Sequence, residues 1–101
     1  MTDLLVGVNG VKGKTSEALR ATEADGGASV VLIAVVREFD RKADKAMGKS
    51  YTASTMREAV VELEQAGDSA KAAAEADPGI TEGTKQAVLD AHLAICLLKA
   101  D

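Results

Sequence analysis

Hydrophobic positions along this chain recur mostly at intervals of four and three, the spacing that gathers side chains on one face of a helix. Three clusters of turn-forming residues interrupt the pattern: Asp25-Gly26-Gly27, Gly48-Lys49-Ser50 and Asp77-Pro78-Gly79. They cut the sequence into four pieces, each long enough for several helical turns. Short connections between four such pieces predict a mainly α fold, a small antiparallel bundle of about four helices. No linker-like composition shift, low-complexity tract or convincing internal repeat divides the chain. Its length of 101 residues predicts a single domain, 1–101.

The third piece gives the clearest helical signal. Met56, Val60, Leu63, Gly67, Ala70 and Ala74 fall on one face, behind a Thr55-Met56-Arg57-Glu58 stretch with the spacing of a capping box. Asp77-Pro78 ends the run, because the residue before a proline is pushed out of the helical region. The fourth piece, from about Thr81 to the C-terminus, aligns Val88, Ala91, Ile95 and Leu98, and Leu89, Leu93, Cys96 and Leu97 widen that stripe. So broad an apolar face predicts either a central helix or one that meets a partner.

The first two pieces admit a second reading. Val30 to Val36 is a continuous, β-branched run that suits a buried strand. Leu32, Val36, Phe39, Ala43 and Ala46 nevertheless keep helical spacing, with Ser29 and Gly48 placed to cap a helix from about Val30 to Met47. In the first piece Leu4, Val8, Val11, Thr15, Ala18 and Thr22 fit a helix, yet Gly7, Gly10 and Gly13 each cost one about 1 kcal/mol relative to alanine. The alternative is an α/β fold with an N-terminal β-α-β unit, its strands near 3–9 and 29–36. Against it, the remaining half of the chain reads as helix and would leave a marginal two-stranded sheet.

Composition narrows the functional classes. Only 2% of the residues are aromatic, with no Trp, and the net charge is -4. Neither base stacking nor phosphate attraction is served, so no nucleic-acid partner is expected. One Cys and one His make a disulfide or a His/Cys zinc site implausible within one chain, so no metal and no cofactor is expected. The longest apolar run falls well short of a membrane span and lies too far along to be a leader. The expectation is a soluble, acidic, cytoplasmic protein with no membrane partner.

Few segments carry candidate chemistry. Gly10-Val11-Lys12-Gly13-Lys14-Thr15 ends like a phosphate-binding loop, in which backbone N–H groups, a lysine and a hydroxyl meet phosphate and magnesium. The glycine that such a loop places five residues before Gly13 is Val8 here, so the motif is broken at its first element. Gly10, Gly13, Lys14 and Thr15 are the candidate ligand-binding residues of a phosphate- or nucleotide-binding alternative. Leu4 to Gly10, then Ser16 to Leu19, then Val30 to Val36 resembles the opening of a universal stress protein domain. That resemblance implies a strand, a helix and a returning strand over the first third of the chain. The later strands and nucleotide loop of that family have no counterpart, and no residue is carried over.

His92 lies at the border of the fourth piece's apolar face, where only Asp90 is near it in sequence, on a different face. Cys96 reads as a small hydrophobe among Leu93, Ile95 and Leu97. Basic residues outnumber acidic ones from Arg37 to Arg57, and the reverse holds from Glu58 to Asp90. Such halves match each other if pieces two and three pack together. No nucleophile–base pair, carboxylate pair or metal-ligand set is spaced for catalysis. The expected function is therefore non-catalytic: a small interaction or structural module that forms a homo-oligomer or binds a protein partner. The expected surface is Leu89, Leu93, Ile95, Leu97 and Leu98, with Ala70 and Ala74 opposite.

Overall fold

The computed structural model describes residues 2–48 and 53–100, with side-chain surroundings for 6–48 and 55–99. Four helices account for nearly all of them: α1 (Thr2–Ala24), α2 (Val30–Met47), α3 (Ala53–Ala76) and α4 (Glu82–Ala100). Each packs mainly on its two neighbours in the ring α1-α2-α3-α4, so the bundle is built from two hairpins, α1–α2 and α3–α4. The α/β alternative is overturned, since no strand occurs among the described residues and both proposed strand segments are helical. The physical reason lies in the packing of the first helix. Val8, Val11, Thr15, Ala18 and Thr22 are all buried along one side of α1, and that burial outweighs the helix cost of its glycines. In α2, Leu32 and Val36 face the core while Val30 and Val31 are exposed, which a helix explains and a doubly buried strand does not.

The caps of α2 fall where the sequence placed them. Ser29 is extended (φ -73°, ψ 158°) and its side chain accepts the Leu32 N–H at 3.1 Å, while the Gly48 N–H bonds the Lys45 carbonyl. The third helix starts at Ala53, three residues before the Met56 start that the capping box requires, so Thr55 lies inside its first turn. The core is lean: among the described residues Phe39 is its one aromatic, in a cluster of Leu, Ile, Val, Met and Ala side chains. Gly67 makes room for it. A Cβ on Gly67 would lie 3.0 Å from Phe39 Cζ and 3.2 Å from Ile95 Cγ2.

A repeat that the sequence hid emerges from the contacts. Positions 52 residues apart play the same part in the two hairpins: Val8 and Val60, Val11 and Leu63, Ala18 and Ala70, Thr22 and Ala74, Val36 and Val88, Ala43 and Ile95 are all buried pairs. The connections correspond as well, Asp25-Gly26-Gly27-Ala28-Ser29 to Asp77-Pro78-Gly79-Ile80-Thr81. Thr81 caps α4 as Ser29 caps α2, its Oγ1 accepting the Thr84 N–H at 3.2 Å. The absence of an internal repeat expected from sequence is thereby corrected. Identities are few, most of them lie between Ala18 and Gly27 and their counterparts Ala70 to Gly79, and core residue types differ between many equivalent sites. Phe39 against Gly67 in one hairpin-to-hairpin layer corresponds by position to Ala91 and Thr15, a change of residue types that erases similarity there.

Candidate functional site

The predicted phosphate-binding segment forms no loop. Gly10, Gly13, Lys14 and Thr15 lie in the unbroken helix α1, where backbone N–H groups serve the helix rather than a ligand. Gly10, Gly13 and Lys14 are exposed and Thr15 is buried. The anion that this segment holds belongs to the protein itself: Asp40 Oδ1 lies 2.9 Å from Lys12 Nζ, 2.8 Å from Thr15 Oγ1 and 3.1 Å from Ser16 Oγ. Burial pushes the Asp40 carboxyl upward, but the donors from Lys12, Thr15 and Ser16 together outweigh it and hold the group below its ordinary value. This seam locks α1 to α2.

The corresponding seam between α3 and α4 carries different chemistry. His92 and Asp68 stand where Asp40 and Ser16 stand in the first hairpin, with His92 Nε2 2.8 Å from Asp68 Oδ1. Cys96, one turn on, places Sγ 3.6 Å from Nε2 and 3.8 Å from Nδ1, so the sulfur lies against the ring rather than in line with one nitrogen. Sequence spacing offered His92 only Asp90; the pairing of α3 with α4 brings Asp68, which no local pattern could reveal. Burial raises the Cys96 pKa, and Asp68 and Glu64 raise it further, which disfavours the thiolate a nucleophile needs. Among the described residues, no group of three or more His, Cys, Asp or Glu side chains is placed to hold a metal ion. Nor is any helix there long and apolar enough to cross a membrane.

The expected interaction surface divides in two. Ala70, Ala74 and Ile95 are buried, because the inward stripes of α3 and α4 close against α1 and α2. Leu98 packs partly against the core beside Gly7, where a Cβ would collide with its Cδ1. These four residues belong to the fold's interior and its rim, a correction to their expected role. Leu89, Leu93 and Leu97, one turn apart, line the outside of α4; Leu89 is half-buried, while Leu93 and Leu97 are 55% and 61% exposed.

The repeat supplies an internal comparison for this outer face. At the positions matching Leu89, Leu93 and Leu97, α2 carries Arg37, Arg41 and Lys45. Those side chains are solvated, Arg41 at 77% exposure, and their ion pairs with Glu23, Glu38 and Glu62 lie at the surface. Equivalent backbone positions therefore face water in both hairpins, and only α4 fills them with leucine. The Lys42–Glu62 pair, 2.9 Å apart, joins the basic α2 to the acidic α3 as the charge halves anticipated. Compared by sequence and by structure, the chain matches no family of known proteins, no curated protein and no solved structure.

Proposed function

We propose that the protein is a non-catalytic helical interaction module that self-associates through the outer face of α4, centred on Leu93. The observation that carries this reading is the leucine stripe on α4 where the matching stripe on α2 is Arg37, Arg41 and Lys45. An exposed row of leucines costs solubility and brings no packing within the monomer, whereas cover by an apolar surface removes it from water. A contact centred on Leu93 is self-complementary, since an antiparallel second α4 sets Leu89 opposite Leu97. Two exposed leucines and one half-buried one make a small patch, so the association expected is weak and depends on concentration. A high Cys96 pKa and a His92 paired with Asp68 fit a structural seam better than a catalytic one. A cytoplasmic setting suits a chain whose one cysteine has no disulfide partner of its own.

The test grafts the solvated stripe of α2 onto α4. Leu93→Arg together with Leu97→Lys copies residues that an equivalent helix already tolerates, so the variant is expected to stay folded. Sedimentation velocity over a wide concentration range should then show wild-type dimers and only monomers of the variant. If the wild type stays monomeric throughout, self-association through this face is wrong. A wild-type dimer that the graft leaves intact places the contact elsewhere.

A further inference from the structure

The leucine stripe of α4 has a counterpart on α1. Val6, Gly10 and Gly13 follow one another at helical spacing on the solvated side of α1, and Val6 is 64% exposed. At the matching positions α3 carries Glu58, Glu62 and Gln65, all exposed. Glu62 reaches Lys42 and Lys45 of α2, so ion pairs cover the groove between α2 and α3. In the equivalent groove between α4 and α1, Ala94 and Leu97 replace the two lysines and Gly10 replaces the glutamate; none of the three carries a charge. Nothing within the chain explains the two glycines. Both lower the stability of α1 relative to alanine, and no atom lies within 4 Å of either Cβ direction. The helices α1 and α4 run antiparallel, with Gly7 against Leu98 toward one end and Asp25 bonded to Thr81 at the other. That register sets Gly13 level with Leu93.

We propose that the contact through α4 extends across α1, where Gly10 and Gly13 let a second copy of the chain approach more closely than side chains would permit. This inference rests on the self-association proposed above. Two observations favour a second copy as the occupant. A row of three leucines is far smaller than the roughly 800 Å² that each partner of a specific dimer buries. One long side of the bundle, whose extents are 41 × 21 × 18 Å, is of that size, and α1 and α4 together form such a side. The charges beside the apolar stripe are of both signs, Glu17 and Arg20 on α1 and Glu82 and Asp90 on α4, and none makes an ion pair with another described residue. A strongly acidic or strongly basic partner would meet its own sign there, whereas a second copy brings each charge its opposite.

The test is Gly10→Gln/Gly13→Gln in the full chain, which gives α1 the residue that α3 carries at Gln65. Glutamine favours a helix over glycine, so the fold is kept. Urea unfolding is followed at a concentration where the wild type is monomeric, and the dimer Kd is measured by sedimentation velocity. The midpoint of unfolding should rise while the dimer Kd weakens by about tenfold or more, the effect of forcing side chains into a close contact. Glycines that served only the monomer could not move the two readouts in opposite directions. The Leu93→Arg/Leu97→Lys graft keeps two failures apart. If the graft abolishes the dimer while the glutamines leave its Kd unchanged, the α4 contact stands and its extension across α1 is overturned. A wild type that stays monomeric throughout overturns both. A lower unfolding midpoint in the glutamine variant would give the glycines a role inside the bundle and overturn the extension as well.

Discussion

Asp25 and Asp77 each cap the opposite hairpin, one carboxylate holding the N–H of Thr81 at 2.9 Å and the other that of Ser29 at 2.8 Å. Ser29 and Thr81 are themselves the capping residues of α2 and α4, so each aspartate fixes the entry to a helix in the other half of the molecule. Turn, cap and hairpin contact are thereby one structure, repeated twice.

These bonds make the end of the bundle acid-sensitive. Asp25 is held below its ordinary value chiefly by the N–H groups of Thr81 and Gly27, and Asp77 by those of Ser29 and Gly79. A carboxylate with a depressed folded pKa contributes stability that is complete above its unfolded pKa and is lost as pH falls through the folded one. Thermal unfolding should therefore show Tm falling as pH drops below the ordinary aspartate value of about 4, with a shallower fall in Asp25→Asn/Asp77→Asn. An unchanged acid slope in that double variant would show that other carboxylates govern the transition.

The two turns also have no room for a side chain where they cross. A Cβ on Gly27 would meet the Gly79 carbonyl oxygen, a backbone atom that cannot rotate away, while nothing lies within 4 Å of the Cβ direction at Gly26. Gly27→Ala should cost about 1–3 kcal/mol in urea unfolding, the range for forced overpacking. Gly26→Ala, one residue away, should change little. Equal effects at the two positions would place the turns farther apart than described.

Gly10 and Gly13 lie on the solvated side of α1, each with open space where a Cβ would project. Alanine there removes the helix penalty and meets no neighbour. Each substitution should raise stability by about 0.5–1 kcal/mol, the difference between glycine and alanine inside a helix. Binding of inorganic phosphate by these glycines, had they formed a loop, would be lost in the same variants, so calorimetry with phosphate on both proteins checks that reading too.

The helix pattern was legible in the sequence wherever periodicity and punctuation agreed. Leu32, Val36, Phe39, Ala43 and Ala46 marked the buried face of α2, and Ser29 and Gly48 marked its ends. Local propensity misled in α1, because glycine penalties are visible in a sequence while the burial of Val8, Thr15 and Thr22 is not. The apolar stripe on α4 is wide in sequence as in structure, yet periodicity alone could not say which edge faces inward. Ile95 went to the core and Leu93 to the surface; only the placement of α1 and α3 decides between them. The same limit hid Asp68 from His92 and Asp40 from Thr15. Both pairings join helices whose register the sequence does not state.

Asp40 is the group on which the α1–α2 seam turns, and its removal should be costly in a way that isolates the charge. One oxygen, Oδ1, is approached by Lys12 Nζ, Thr15 Oγ1 and Ser16 Oγ, and the side chain is only 16% exposed. Asp40→Ala leaves a half-buried ammonium and a buried hydroxyl without this partner, although Thr15 Oγ1 still has the Lys12 carbonyl oxygen at 3.0 Å. A loss of about 2 kcal/mol is expected, the usual range for unpairing such groups. Asp40→Asn keeps an acceptor oxygen and should cost less, the remainder reporting the charge. A double-mutant cycle with Lys12→Met then measures the ion pair itself, expected at about 1 kcal/mol for a partly shielded pair. Urea rather than guanidinium is the right denaturant, since guanidinium salt would screen the interaction being measured. A coupling near zero would assign the hold on Asp40 to the two hydroxyls and reduce Lys12 to a solvated neighbour.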